Sequence, residues 1–383
     1  MKNFGKIIIF ICIIFVLNAY KLSAQEKIKI GLLVPLTGKD AEIGQSIIKA
    51  TRLAINKIND DKIEIFPKDT ESNALKTFSA TKELREVGIK IVIGPIFNKN
   101  LNYLDKFKDM IFLSLTNKNI NNPKNIISVG INATSQLNTI VKFQKLNDIK
   151  RTILLTPNED YKEEILNSVL ESKIKLKWKY FYDTDPTLLT KKIEEITRYP
   201  QRKQNLKDEI KRLEDSSETN KEKKIENLKK KHALGGINFD SVIIADFDQN
   251  LKSVTTSLLY TDVSPERIYY MTFNQWFDES LLKETSIQPI YFPSINKENF
   301  DSFSQNYKKI YDEFPNELSF LSYDLIGLVY YIIFKNNFIV NEKIFYKKNK
   351  FKGKIGIFEI NKNVITHQLN FYSAENNKFI KIF

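Results

Sequence analysis

The chain has 383 residues, with 59 Lys or Arg against 46 Asp or Glu, two His and a single Cys, for a formal charge of +13. That length is enough for two lobes, and a lone cysteine excludes an internal disulfide and a thiolate metal cluster. The lysines are spread along the chain and mixed with Glu and Asp, so the charge reads as a solvated surface rather than a nucleic-acid or membrane footprint.

The chain opens "MKNFGKIIIFICIIFVLNAYKLSAQ". Lys2 and Lys6 precede an apolar run at 7–17, and Leu22-Ser23-Ala24 ends in a small residue, the layout of a cleaved signal peptide over 1–24. The run is short for a membrane span, which needs about 20 residues, so an uncleaved anchor is the alternative to cleavage, and no other stretch is expected to cross a membrane. Cys12 follows Ile11, where a lipid-attachment site would want a small residue, so no lipid anchor is expected. The chain from Gln25 onward has no cysteine, and taking away Lys2, Lys6 and Lys21 leaves a charge of +10. An exported chain with no disulfide suits a bacterial periplasm.

Strands and helices then alternate. "KIKIGLLVPL" reads as a buried strand, and Ile43, Ile47, Ile48, Ala50, Leu53, Ala54 and Ile58 recur at helical spacing. "IEIFPKDT" is a strand, "SNALKTFSATKELREVG" a helix closed by Gly88, "KIVIGPI" a strand, "LNYLDKFKD" a helix and "IFLSLT" a strand. This order implies a parallel sheet covered on both faces. A second series follows: "RTILLTP", "KLKWKYFYD", "FDSVIIADF" and "RIYYMTF" as strands, with helices at "YKEEILNSVLESK", "PTLLTKKIEEITRY" and "NLKSVTTSLLYTD". "KENFDSFSQNYKKIYDEF" and "ELSFLSYDLIGLVYYIIF" read as two successive helices. The tail is β-rich, with "KIGIFEI", "ITHQLNFYSA" and "KFIKIF" as strands and Asn361-Lys362-Asn363 as a turn.

Residues 201–232 stand apart. Leu206, Ile210 and Leu213 make one narrow stripe, Ile225 and Leu228 another, and the rest is charged. The segment reads as two charged helices projecting from the second lobe, with Thr219 and Glu222 spaced as a capping box. It is either a solvated insertion or an arm that contacts a partner.

Motifs for familiar chemistries are missing. The loop "PLTGKDAEIG" lacks the GxxxxGK[ST] of a phosphate cradle and the GxGxxG of a dinucleotide fold. His232 and His367 are the only histidines, there is no HExxH or GxSxG, and no carboxylates fall at metal-ligand spacing. Asp69-Thr70 and Tyr323-Asp324 read as turn and capping residues. No catalytic residue, metal or cofactor is therefore expected.

Ligands of open parallel sheets bind beyond the carboxyl ends of the strands. The positions there are Thr37 beside Gly38, Phe97 and Asn98, and Thr116 and Asn117 in the first lobe. In the second they are Tyr161 with Asn158 and Asp160, then Asp246, then Asn274, Gln275 and Trp276.

The series "IGLLVPLTG…IGQSIIKATRLAIN", "IEIFPKDT", "VGIKIVIGPIF", "LLTPNEDY", "FDSVIIA" and "LSYDLIGLVYYI" resembles the leucine-binding, type I periplasmic binding protein fold. That resemblance implies discontinuous lobes, 26–132 plus 285–336 and 133–284 plus 337–383, each a parallel sheet flanked by helices. Within the fold, "YPQRKQNLKDEIKRL", "LLYTDVSPERIYYMTFNQWFDESLL" and "FKGKIGIFEINKNVITHQLNFY" are similar to the penicillin-binding protein activator branch. That branch implies a non-enzymatic regulator of peptidoglycan synthesis that contacts a penicillin-binding protein. The alternative is a substrate-binding protein that closes on an amino acid or other small polar solute and delivers it to an ABC permease. Amino-acid-binding members carry Ser or Thr after the Gly-Pro strand and an Ala-Ser/Thr pair after the next. Here those places hold Phe97-Asn98 and Thr116-Asn117-Lys118, while Tyr161 matches the tyrosine of the second lobe.

Overall fold

The computed structural model describes residues 27–118, 123–274, 276–339, 342–361 and 364–383. The signal-peptide reading, Gln275 and the turn at 362–363 lie outside them.

The first half of the chain runs β1 (Ile28–Val34), α1 (Ala41–Ile58), β2 (Ile63–Asp69), α2 (Ala74–Glu86), β3 (Ile91–Ile93), β4 (Ile111–Ser114), β5 (Ile126–Ser128) and α3 (Ala133–Leu146). It continues with β6 (Thr152–Pro157), α4 (Lys162–Ser172), β7 (Trp178–Tyr182), α5 (Pro186–Thr197), α6 (Tyr199–Glu214), α7 (Lys221–Lys229), β8 (Ser241–Ile244), α8 (Asp248–Tyr260) and β9 (Tyr269–Thr272). Last come α9 (Ser280–Lys283), β10 (Ile290–Ser294), α10 (Lys297–Tyr311), α11 (Glu317–Lys335), β11 (Asn349–Lys352), β12 (Ile357–Asn361), β13 (Val364–Gln368), β14 (Asn370–Glu375) and β15 (Lys378–Lys381).

Two sheets result, ordered β11-β12-β13-β5-β4-β3-β1-β2 and β15-β14-β10-β9-β8-β6-β7. The central strands are parallel, and antiparallel strands from the tail close one edge of each sheet. Strands such as β1, β4, β6 and β8 are apolar runs because helices cover both their faces.

The loop between β1 and α1 is built by a carboxylate. Asp69, at the end of β2, accepts the Leu36 amide at 2.7 Å and the Thr37 hydroxyl at 2.6 Å. Burial pushes this carboxyl up, but the Thr37 hydroxyl and the Leu36, Glu71 and Thr37 amides outweigh it and hold the group below its usual range. Gly44 lets α1 close on the strand end, since a Cβ there would sit 1.6 Å from the Pro35 carbonyl oxygen.

The structure departs from the sequence reading in several places. Residues 101–109 form no α-helix; two short 3₁₀ segments, Asn98–Leu101 and Leu104–Lys106, meet at Tyr103, whose φ of 72° breaks the helix. Their apolar residues Leu101, Leu104, Phe107 and Met110 recur every third position, which suits the tighter helix equally well. Helix α3 carries no clear helical signal in the sequence, because Leu137, Ile140 and Phe143 sit among buried Thr, Ser and Gln. Strand β10, flanked by Pro289 and carrying Pro293, was also not read.

The lobe boundaries change with the pairing. β10, placed in the first lobe by the range 285–336, pairs with β9 and β14 in the second sheet. Most of the tail assigned to the second lobe is in the first sheet: β11, β12 and β13 extend it beside β5. The expected single strand "ITHQLNFYSA" divides at Leu369, its first half in one sheet and its second half in the other.

The chain therefore passes between the sheets after β5, after β10 and between β13 and β14. These passages are hydrogen-bonded to one another. Asn132 donates to the Ile365 carbonyl at 2.8 Å, the His367 amide donates to the Ser135 hydroxyl oxygen at 2.9 Å, and the Tyr372 hydroxyl donates to the Ile295 carbonyl at 3.0 Å.

Helix α11 corrects the expectation that no further stretch is long enough to span a membrane, for it is long and apolar enough by length and composition. Its apolarity serves the core: eleven of its residues are buried, and it packs along α1, with Ser322 hydrogen-bonded to Thr51 at 3.2 Å.

The charged segment does form two helices, α6 and α7, but it is not wholly solvated. Tyr199, Leu206 and Leu213 are buried. Arg202, 4% exposed, donates to the carbonyls of Gly235 at 3.1 Å and Thr261 at 2.9 Å and pairs with Asp262 at 3.3 Å. No residue of α7 is buried. Its N-cap is Asn220 in left-handed backbone, with no side-chain cap, so the Thr219–Glu222 capping box does not form.

Candidate ligand cleft

Beyond the carboxyl ends of the strands, a cavity of about 1030 Å³ opens between the two sheets. Six of the nine candidate positions line it: Phe97, Asn98, Thr116, Asn117, Asn274 and Trp276.

On the first-lobe side, Thr116 is 6% exposed. Its hydroxyl accepts the Lys118 amide at 3.3 Å, and its carbonyl accepts the Gly130 amide at 3.0 Å. Gly130 has to be glycine, because a Cβ would lie 2.7 Å from the Thr116 and Asn117 backbone. Asn98 and Asn117 are exposed, and Phe97 is half-buried beneath Lys99, whose ammonium lies 5.7 Å from the ring.

On the second-lobe side, Asn274 ties three elements together. Its amide donates to Gln136 Oε1 of α3 at 2.5 Å, and its Oδ1 accepts the Ser294 hydroxyl of β10 at 2.6 Å. Oδ1 also accepts the Trp276 amide at 3.3 Å, which helps hold Trp276 and Phe277 in left-handed backbone, φ 47° and 59°. Phe277 packs edge-on against Tyr372 at 5.0 Å, so this corner of the cleft is anchored in the aromatic core.

Thr37, Tyr161 and Asp246 do not line the cavity. Thr37 is spent on the Asp69 loop. Asp246, 2% exposed, accepts the Tyr182 hydroxyl at 2.7 Å and the Tyr161 hydroxyl at 3.3 Å. Burial, followed by the charge of Asp246, pushes both phenols well above their ordinary range, so they stay protonated donors. The pair lies behind Phe247, whose ring is 6.4 Å from that of Tyr161 and which itself lines the cavity.

The sequence reading missed the charged and amide groups that complete the lining. Lys99 and Lys118 come from the first lobe, Asp248 and Asp278 from the second, and Glu317 from the first turn of α11. Asp248 and Asp278 lie close after predicted strand ends and could have been included; Gln136 and Glu317 are on helices whose approach to the cleft only the tertiary structure reveals. The walls between these charges are apolar, with Leu115, Ile131, Leu318 and Leu321 among them. The cleft can thus hold a small polar or amphipathic group with either charge sign. Its described lining residues include no Ser, Cys or His, and among the described residues no His, Asp or Glu cluster could hold a metal.

Residues 27–176 match the Periplasmic binding protein family. The C-domain of LpoA (YraM) from Haemophilus influenzae, a regulator of PBP1A, superposes with a TM-score of 0.62 at 15% identity, covering 93% of this chain and all of that one. The substrate-binding protein LivJ from Streptococcus pneumoniae, in complex with isoleucine, gives a TM-score of 0.57 at 17% identity, again over 93% and 100%. A putative branched-chain amino acid ABC transporter protein from Rhodospirillum rubrum gives 0.71 at 12% identity over the same shares.

The chain has the type I periplasmic-binding-protein fold.

No curated protein sequence matches it. At these identities the likeness is one of fold, and the fold's neighbours include regulators and solute-binding proteins alike. In the periplasmic-binding-protein fold the cleft between the lobes is the place for a ligand, and here that cleft is open, mixed in charge and only partly furnished as the resemblance implied.

Proposed function

We propose that this protein is exported and non-enzymatic, and that it works by contact, regulating peptidoglycan synthesis as a penicillin-binding-protein activator does. The observation that carries this reading is the dispersal of the amino-acid clamp. Phe97 stands where a hydroxyl would hold an α-carboxylate, Thr116 is bonded to its own loop, and Tyr161 is turned to Asp246 behind Phe247. The shared fold of the LpoA C-domain supports it.

The contact surface on this reading is α7, which has no buried residue and is rich in lysine. Removing 201–232 entirely would also remove the buried Arg202, so the discriminating variant is Lys223→Glu/Lys229→Glu/Lys231→Glu, three changes on exposed side chains. Affinity for a purified synthase from the same cell should fall at least about tenfold, with the melting temperature unchanged. A wild-type protein that binds no synthase would end the proposal.

A second reading, a solute receptor, is favoured by the open cavity of about 1030 Å³ with both charge signs on its wall. A thermal-shift panel of amino acids, short peptides and amides separates the two readings. A ligand at a hundredfold excess over its Kd stabilises the folded state by about 2.7 kcal/mol, and a shift of several degrees with one amino acid would favour the receptor.

A further inference from the structure

One outer edge of the first sheet is a strand that alternates lysine with inward-packed residues. β11 ends the sheet order and pairs with β12 alone, so the backbone N–H and C=O groups along its other side have no strand partner. The segment that carries it, "KKNKFKGK" at 347–354, holds five lysines and no Asp or Glu. Lys347, Lys348, Lys350 and Lys352 are exposed. One carboxylate answers them across the hairpin: Glu359, opposite Lys350 and 3.2 Å from the Lys348 ammonium. Among the described residues the other four lysines of the segment form no ion pair.

The edge is held in place and has a groove beside it. The Phe351 ring lies 5.7 Å from Tyr331 of α11 and 6.0 Å from Phe358 of β12. Just past the strand, the Ile355 amide donates to Asp324 Oδ2 at 2.6 Å, and a Cβ on Gly353 would sit 2.3 Å from the same oxygen. A groove of about 370 Å³ separates this hairpin from α1 and α11. Ala54, Ile58, Tyr323 and Phe351 give it apolar walls, and Lys57, Lys352 and Lys354 also line it. Beyond the end of α1, Asp60 accepts the Tyr330 hydroxyl at 2.8 Å and the Lys62 amide at 3.0 Å, and Asp61 is exposed. With Lys57 and Lys62 included, seven lysines stand against four carboxylates, Glu359, Asp60, Asp61 and the buried Asp324, so the charge is not balanced locally.

We infer that β11 is a docking edge for an extended acidic segment of a partner polypeptide, which adds to the sheet as a further strand. The open edge offers backbone hydrogen bonds to an extended chain. Lys350 and Lys352 are two residues apart and share a face of the strand, so they match carboxylates at alternate positions of the added strand. A second copy of this chain is a poor occupant, because pairing β11 with itself would set lysines against lysines. A lipid surface would need exposed apolar side chains, and no residue of β11 or of the groove is an exposed large apolar one. The edge held against α11 and Asp324 is already extended before the partner arrives, which lowers the ordering cost of binding. This surface is separate from α7 and from the cleft, and the inference is independent of what either one binds.

The test is fluorescence anisotropy of short labelled peptides titrated with residues 25–383, which contain every described residue. A peptide of alternating Glu and Val is expected to bind, and one of alternating Lys and Val is not. A peptide of alternating Glu and Pro keeps the charge but cannot pair as a strand, and should bind at least about tenfold more weakly. The bound Glu-Val peptide should slow amide hydrogen exchange at Asn349–Lys352. Lys350→Glu/Lys352→Glu, at two exposed positions, should weaken the Glu-Val peptide at least about tenfold with the melting temperature unchanged, and binding of the Lys-Val peptide by that variant would support the charge match directly. Absence of Glu-Val binding, equal binding of the Glu-Pro peptide, unchanged exchange at β11, or binding that the double substitution leaves unaltered would overturn the inference.

Discussion

Two buried ionisable groups near the passages between the lobes pull the pH dependence of stability in opposite directions. His367, on β13, is 4% exposed, with Nε2 3.0 Å from the Val129 carbonyl oxygen and the Phe358 ring at 4.8 Å. Burial lowers its pKa to about 4, against the weaker upward pull of the Val129 and Gly130 carbonyls. Asp324, on α11, is also 4% exposed, and its Oδ2 accepts the Ile355 amide at 2.6 Å. Burial raises its pKa to about 6, against the Ile355 and Lys354 amides and the Lys354 charge. Between about pH 4 and 6.5 the unfolded chain binds more protons at the histidine than the folded one does, so its contribution is full above that window and is lost as the pH falls. For the aspartate the folded state binds more protons between about pH 3.8 and 6, so stability is present below that window and is lost as the pH rises. Each shift of about two units corresponds to about 3 kcal/mol at 1.36 kcal/mol per unit, and across pH 4 to 6 the two nearly cancel. His367→Gln should therefore remove the histidine's contribution, with stability relative to wild type falling by about 3 kcal/mol from pH 4 to 6.5. Asp324→Asn should remove the aspartate's contribution, with a rise of similar size relative to wild type from pH 3.8 to 6. Urea titrations at half-unit pH steps, taken as differences from wild type, remove the background of the other carboxylates and any pH-independent cost of the substitution. Difference curves that stay flat in both variants would refute the reasoning.

Two further substitutions test the framework of the fold. Gly44→Ala places a methyl group 1.6 Å from the Pro35 carbonyl oxygen, so α1 must withdraw from the end of β1; a loss of about 3 kcal/mol or more in urea unfolding is expected, and a loss under 1 would mean the loop yields easily. Arg202→Met removes the cation that satisfies the Gly235 and Thr261 carbonyls and Asp262. It should cost about 3 kcal/mol and raise protease cutting at α6 and α7 without altering any cleft ligand response, and unchanged proteolysis would show that the arm is held by Leu206 and Leu213 alone.

What could be read in advance, and what could not, follows from the range of the interactions. β4, β6 and β8 are buried on both faces, as is β1 apart from Lys29, so each appears as a mostly apolar run, and alternation with helices is enough to predict parallel sheets. The strand ends were legible for the same reason, and the structure places Phe97, Asn98, Thr116, Asn117, Asn274 and Trp276 on the cavity wall. Neighbouring strand ends carry no label saying which of their side chains turn toward each other. Tyr161 and Asp246 follow the neighbouring strands β6 and β8 and bond together, which removes both from the cleft. The tail shows the limit most clearly. "ITHQLNFYSA" has one continuous strand pattern, yet Val364–Gln368 adds to the first sheet and Asn370–Glu375 to the second. Leu369 is an ordinary apolar residue with no turn signal. The division is imposed by partners far along the chain: β5 and β12 take the first half, and β10 takes the second. That exchange carries the chain from one sheet to the other, and the buried His367 lies within it, two residues before Leu369. A local pattern can report that a segment is extended and buried; only the competition between two sheets for its edge decides where the lobes divide.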